Sequence, residues 1–229
     1  DKNVEVINAG VPAFVSMQEL ILLEDRIIEL EPDLVIIFDG FNDVLTFLKR
    51  DRRPNYPWWF SEIERVYYMS VTRLFLEKKL HKYRPTKYML RWLRKRRKIE
   101  NNYSVNPEPI RYYRRNLDLM CHLARSYGMD VMLVFQPVVT FKDELSAFES
   151  EMLGSLDRDY MEALTGMCDL ARHAMKEVSV ENNAVFLDGT TFFDSERNTI
   201  FHDEVHFNQL GQETVAGILA EKINEMGVL

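Results

Sequence analysis

Asp203 and His206 stand three residues apart just ahead of an amphipathic run, in Phe201-His202-Asp203-Glu204-Val205-His206-Phe207-Asn208. A carboxylate and an imidazole so spaced can share a hydrogen bond. That bond fixes which ring nitrogen carries the proton and leaves the other free as a general base. Far upstream, Gly40-Phe41-Asn42-Asp43 follows five successive apolar residues and Asp39. A glycine there permits a tight turn that aims a side-chain amide into a crevice, where its N–H could stabilise a developing oxyanion. The same four residues also suit an ordinary turn after a strand. His202 and His206 are four apart, a spacing that on a helix would suit a metal, but the order His-Asp-Glu-Val-His is not H-E-x-x-H and no third ligand is evident. Neither a metal nor a cofactor is expected.

These groups need a scaffold, and the apolar pattern supplies one. Pro32 stops a helix, and residues 34–38 then read as a strand buried on both faces that ends at a polar loop. Residues 4–9 are β-branched and stop at Gly10-Val11-Pro12, which predicts a short first strand. Ser16-Met17-Gln18-Glu19 has capping-box spacing, so Ser16 is expected to be a helix N-cap, with apolar residues recurring to about Leu30. Ile110, Tyr113, Leu117, Met120, Cys121 and Ala124 mark a helix ended by Gly128, and residues 130–135 form another buried strand closed by Gln136-Pro137. An acidic segment over 142–156 reads as mobile. A helix over 157–178, a strand over 184–188 and a last helix carrying Val215, Leu219, Ile223 and Met226 complete the chain. Strand and helix in alternation predict a mostly parallel sheet with helices on both faces.

The chain has 229 residues, 46% of them apolar and 28% charged, with a net charge of −7. It is long enough for one α/β domain, and its overall charge argues against a surface that seeks nucleic acid. Eleven of its 29 Lys and Arg nevertheless fall between Lys78 and Lys98, with no Asp or Glu among them. This run lies in a long insertion, about 46–107, with aromatic residues at Tyr56, Trp58, Trp59, Phe60, Tyr67 and Tyr68. A basic helix bearing Trp and Leu can lie on an anionic membrane surface, and it can equally cap its own domain beside an active site. Cys121 and Cys168 fall at apolar positions of helical patterns and are expected to be buried free thiols, which leaves the compartment open.

Four blocks in order, N-A-G-V-P-A-F at 8–14, P-D-L-V-I-I-F-D-G-F-N-D at 32–43, V-F-Q-P at 134–137 and D-E-V-H-F-N-Q-L-G at 203–211, resemble the SGNH hydrolase superfamily of GDSL-type esterases and lipases. The resemblance covers nearly the whole chain apart from the insertion. It implies a flavodoxin-like three-layer α/β/α sandwich with sheet order 2-1-3-4-5, one domain over residues 1–229. It also implies that Gly10 offers its backbone N–H and Asn42 its side-chain amide to an oxyanion hole, while Asp203 and His206 complete a triad. The family's G-D-S, which carries the nucleophile at the end of the first strand, would lie before Asp1, and none occurs later. The chain is therefore expected to lack that strand and to be inactive alone. The implied activity is a serine ester hydrolase acting on acyl or acetyl groups of a carbohydrate or lipid. The alternative is a non-catalytic protein that docks on a membrane or polyanion through the basic aromatic insertion. Nucleic acid is not an expected partner.

Overall fold

Three runs rich in β-branched and large apolar residues build a parallel sheet: β1 (Leu34–Asp39), β2 (Asp130–Phe135) and β3 (Val185–Asp188), in the order β1-β2-β3. The computed structural model describes residues 4–48, 55, 56, 60 and 103–227. Most of the insertion, including the basic run from Lys78 to Lys98, lies outside these residues. Registry pairs Asp39 with Phe135 and Phe135 with Asp188, so the three strands end level and share one carboxyl rim. Their order is that of the last three strands in the expected arrangement.

Side chains alternate across a strand, and the sheet separates two cores accordingly. On one face Ile37, Val131, Leu133 and Phe135 pack with Leu117, Met120, Cys121, Leu164, Met167 and Met175. These come from helices α3 (Ile110–Ser126) and α5 (Arg158–Glu181). Phe38 points the other way, into a smaller aromatic core with Val139, Phe193, Phe201 and Val215, the last from α6 (Gln209–Met226). Helices on both faces of a parallel sheet give the α/β/α arrangement. Cys121 and Cys168 are buried free thiols.

Local chemistry explains where the helices begin and end. Asp157 Oδ1 accepts the N–H groups of Asp159 and Tyr160 at the start of α5, and Asn208 Oδ1 accepts that of Gly211 at the start of α6. The first helical run begins as α1 (Ser16–Leu22), passes through a wider turn at Leu23–Ile27 and a tighter one at Ile28–Leu30, and stops at Glu31 with φ 48°, directly before Pro32. Among the described residues no helix is long and apolar enough to cross a membrane.

Several expectations are corrected. Residues 4–9 do not form a strand: they have no ladder partner among the described residues, and Val4, Val6 and Ile7 are exposed. A strand cannot persist without a neighbour for its N–H and C=O groups. Nor is β1 buried on both faces: only Ile37 and Asp39 along it are buried, and Ile36 remains exposed. Ser16 is not the N-cap of α1. Val15 holds that position, its N–H donates to Gln18 Oε1 at 3.0 Å, and the Ser16 hydroxyl is bound elsewhere. Asp39-Gly40 leads not into a loop but into a helix, α2 (Phe41–Leu48), whose Phe41, Val44, Phe47 and Leu48 are buried. The acidic segment contains α4 (Ala147–Gly154), opened by a true capping box. Its Ser146 N–H donates to Glu149 Oε2 at 2.9 Å, and the Glu149 N–H donates to Ser146 Oγ at 3.3 Å.

Candidate active site

The Asp203–His206 loop is a closed turn. Phe201 and Phe207 form an isolated antiparallel bridge, the N–H of His202 donates to the His206 carbonyl at 2.8 Å, and that of Asn208 donates to the Ile200 carbonyl at 2.8 Å. Within the turn, Asp203 Oδ1 accepts the N–H groups of Val205 at 3.0 Å and His206 at 2.8 Å, while Oδ2 lies 2.7 Å from His206 Nδ1. A carboxylate at Nδ1 assigns the proton to that nitrogen and leaves the Nε2 lone pair outward. The His206 side chain is 78% exposed. Partial burial alone would raise the Asp203 carboxyl, but those backbone donors and the imidazole outweigh it and hold the group below its ordinary value.

Two buried devices fasten this turn to the domain. The rings of Phe201 and Phe207 meet Phe193 edge-on, with centroids 5.5 and 6.0 Å away. Beneath them Glu149, fully buried, accepts the N–H groups of Ile200 at 2.8 Å and Phe201 at 3.0 Å through Oε1. Its Oε2 accepts from Lys142 Nζ at 2.7 Å, and Lys142 also donates to the Asn198 carbonyl at 2.7 Å. The Glu204 carbonyl accepts from Val139 N–H at 3.0 Å, which hangs the turn just past the end of β2.

Asn42 reaches the same rim from β1. Gly40 has φ 131°, and a Cβ there would stand 2.4 Å from the Phe135 ring, so both conformation and space require glycine. The Phe41 N–H donates to Gln136 Oε1 at 3.1 Å, and Thr46 Oγ1 donates to the Asn42 carbonyl at 3.0 Å. Among the described residues no hydrogen bond involves the Asn42 side-chain amide; only its backbone carbonyl is engaged. Asp43, read from sequence as a carboxylate that fixes the loop, accepts from Ser16 N–H at 2.8 Å and Ser16 Oγ at 2.7 Å. Gly10 lies in the exposed segment, where its N–H donates to Asn8 Oδ1 at 3.0 Å. No hydrogen bond among the described residues ties it to Asn42 or to the Asp203–His206 turn. His202 and His206 belong to no group of three metal-ligating side chains among the described residues.

Carboxyls also gather behind Asn42. Burial, then the charge of Asp43, push Glu19 up to about 8; burial, then Glu19 and Asp43, raise Asp39 well above its ordinary value. Burial pushes Asp43 up to about 6 against the pull of the Ser16 donors. Among the described residues Asp39 Oδ2 has no hydrogen-bond partner, and the Asp39 carboxyl lies against that of Glu19. A proton held between the two satisfies both.

Sequence reasoning missed the groups that hold the site. Gln136 lies within V-F-Q-P, and a polar side chain at a strand's carboxyl end is the signal that could have marked it. Glu149 carries an S-x-x-E signal at 146–149, the same spacing as at 16–19.

No family model matches the chain, and no curated protein does. Solved structures do. An acetyl xylan esterase, AlAXEase, is 14% identical with a TM-score of 0.53, over 96% of this chain and 81% of that one. Axe2, an acetylxylan esterase from Geobacillus stearothermophilus, is 15% identical with a TM-score of 0.53, over 95% of this chain and 71% of its own. Variants of Axe2 with a serine or a histidine replaced by alanine are described as catalytic mutants. A GDSL-like lipase from Bacteroides thetaiotaomicron is 16% identical with a TM-score of 0.52, over 96% and 76%. The chain thus has the α/β/α fold of the SGNH and GDSL-type hydrolases, as its sequence blocks imply. At these identities the likeness is one of fold.

Proposed function

We propose that the chain supplies the acid–base pair and the oxyanion donor of a serine ester hydrolase that removes acyl or acetyl groups from a carbohydrate or lipid ester. One observation carries the reading: the 2.7 Å contact between Asp203 Oδ2 and His206 Nδ1, in a turn bonded just past the end of β2, level with the end of β1 from which α2 and Asn42 start. The fold shared with acetyl xylan esterases and a GDSL-like lipase supports it.

On this reading a serine N-terminal to Asp1, on a strand paired to the open edge of β1, attacks the ester carbonyl. His206 Nε2 accepts its proton, and Asp203 orients the imidazole and stabilises its cation. The tetrahedral oxygen is held by the Asn42 amide and by the N–H groups of that serine and of Gly10, once Gly10 leaves Asn8. His206 then returns the proton to the departing alcohol, and water repeats the sequence to release the acid. Among the described residues no Ser or Cys side chain bonds His206, so the 229-residue chain is proposed to be inactive alone. Turnover of an aryl acetate is the test. The protein extended by the residues encoded ahead of Asp1 should show it, and His206→Ala should abolish it. Robust His206-dependent turnover by the 229-residue chain would overturn the upstream nucleophile, and an extended protein without turnover of any acyl ester would overturn the hydrolase reading.

A further inference from the structure

The polar groups packed beneath Asn42 have no part in the chemistry above, yet their geometry converges on it. Ser16 is fully buried at the start of α1, with both of its donors on Asp43. Asn116, buried on α3, donates through Nδ2 to Ser16 Oγ at 2.9 Å and to Asn55 Oδ1 at 2.9 Å. The Ser16 hydroxyl therefore gives its hydrogen to Asp43 and receives one from Asn116, which leaves it a single orientation. Asp43 in turn has both oxygens held from α1.

Such a cluster is a costly way to fix a helix to a sheet, since apolar residues of similar volume would pack there at least as well. What directed hydrogen bonds add is orientation, and Asp43 adjoins Asn42 in the first turn of α2. From the other side, Gln136 already holds the N–H of Phe41. Asn42 thus stands between two neighbours, each tied to a different element.

We propose, resting on the ester-hydrolase reading above, that Ser16 and Asn116 are positioning residues for the Asn42 amide: acting through Asp43, they set the direction in which it points over the rim. Neither touches substrate. Removing the Ser16 hydroxyl frees Asp43 Oδ1 and lets the turn swing about its remaining bond, and small displacements of an oxyanion donor cost rate without costing ground-state binding.

A double-mutant cycle on the extended protein tests this, with an aryl acetate as substrate and kcat and KM measured separately. Ser16→Ala is expected to lower kcat about tenfold with KM changed less than about twofold. Asn42→Ala should lower kcat further, and Ser16→Ala added to Asn42→Ala should have no additional effect, because the group it positions is gone. Equal losses from Ser16→Ala in both backgrounds would show a general structural role and overturn the proposal, as would an unchanged kcat for Ser16→Ala alone. An Asn42→Ala protein with undiminished kcat would instead remove Asn42 from the oxyanion hole, and the positioning role with it. Should Ser16→Ala lose cooperative unfolding, Asn116→Ala, one bond further from Asp43, runs through the same cycle with the same outcomes.

Discussion

The side chain of Gln136, one residue past β2, accepts the N–H of Phe41 at 3.1 Å and so ties the turn carrying Asn42 to the central strand of the described sheet. Strand ends that stop level leave their connecting turns independent of one another. This bond couples two of them, and the Val139–Glu204 bond couples the segment after β2 to the Asp203–His206 turn. The two candidate groups, 164 positions apart in sequence, are thereby referred to the same strand.

If the Asn42 amide stabilises the oxyanion, Asn42→Ala should lower kcat by about 10²–10³, the usual cost of losing one such donor. Gln136→Ala should lower it less, about tenfold, because it loosens the turn without removing the donor. Steady-state kinetics of the extended protein measures both, with thermal unfolding as the control for folding. A larger loss for Gln136→Ala than for Asn42→Ala would contradict the roles assigned.

Asp203→Asn keeps an oxygen for the Val205 and His206 N–H groups, so the turn should stay closed. It removes the charge at Nδ1 and lets the amide N–H compete for that position, which favours the wrong imidazole tautomer. The expected loss in kcat is about 10⁴ with little change in melting temperature. A kcat within tenfold of the parent would show that the Asp203–His206 pair is not the acid–base machinery.

Glu149 and Lys142 form an ion pair whose side chains are 0% and 1% exposed. Breaking such a pair from one side strands a buried charge, so Glu149→Ala should cost about 3–5 kcal/mol of stability. Burial alone would raise the Glu149 carboxyl, but Lys142 and the N–H groups of Phe201, Ser146 and Ile200 pull it down to about 2. Its folded value lies below its ordinary one, so its contribution is present above about pH 4.5 and is lost as pH falls toward about 2. Chemical denaturation across that window should show the decline in the parent and a shallower one in Glu149→Gln. Equal slopes would mean that Glu149 is not the group responsible.

The fold was legible because burial leaves a plain record: the helix of Ile110 to Ala124 is periodic over its length, and residues 131–135 are an unbroken apolar run that is buried throughout. Asp203 and His206 were legible for a different reason, since three residues suffice to close their bond. The supports were not. Ser16 and Asp43 are 27 positions apart and Ser16 and Asn116 are 100 apart, so no local pattern distinguishes a hydroxyl that caps its own helix from one that binds a distant carboxylate. Residues 4–9 show the converse failure. Their β-branched composition marks strand propensity, but a strand exists only with a neighbour.

The acids behind Asn42 act on stability with the opposite sign to Glu149. Glu19 is raised from 4.5 to about 8, so the folded state holds a proton that the unfolded state releases, and stability falls as pH rises from about 4.5 through about 8. Asp43, raised from 3.8 to about 6, adds the same trend at lower pH. Among the described residues, the groups that face one another there are Glu19 on α1, Asp39 on β1, Asp43 on α2 and the buried Tyr113 hydroxyl on α3, which has no hydrogen-bond partner among them. Among the described residues no Lys or Arg is a main influence on Glu19, Asp39 or Asp43, and protonation relieves the repulsion between them. Glu19→Gln replaces the titrating carboxyl by an amide that can still donate to Asp39. It should therefore raise the melting temperature at about pH 8.5 and change it little at about pH 5. If the difference in melting temperature between those two conditions is the same in Glu19→Gln as in the parent, the shared proton does not reside on the Glu19–Asp39 pair.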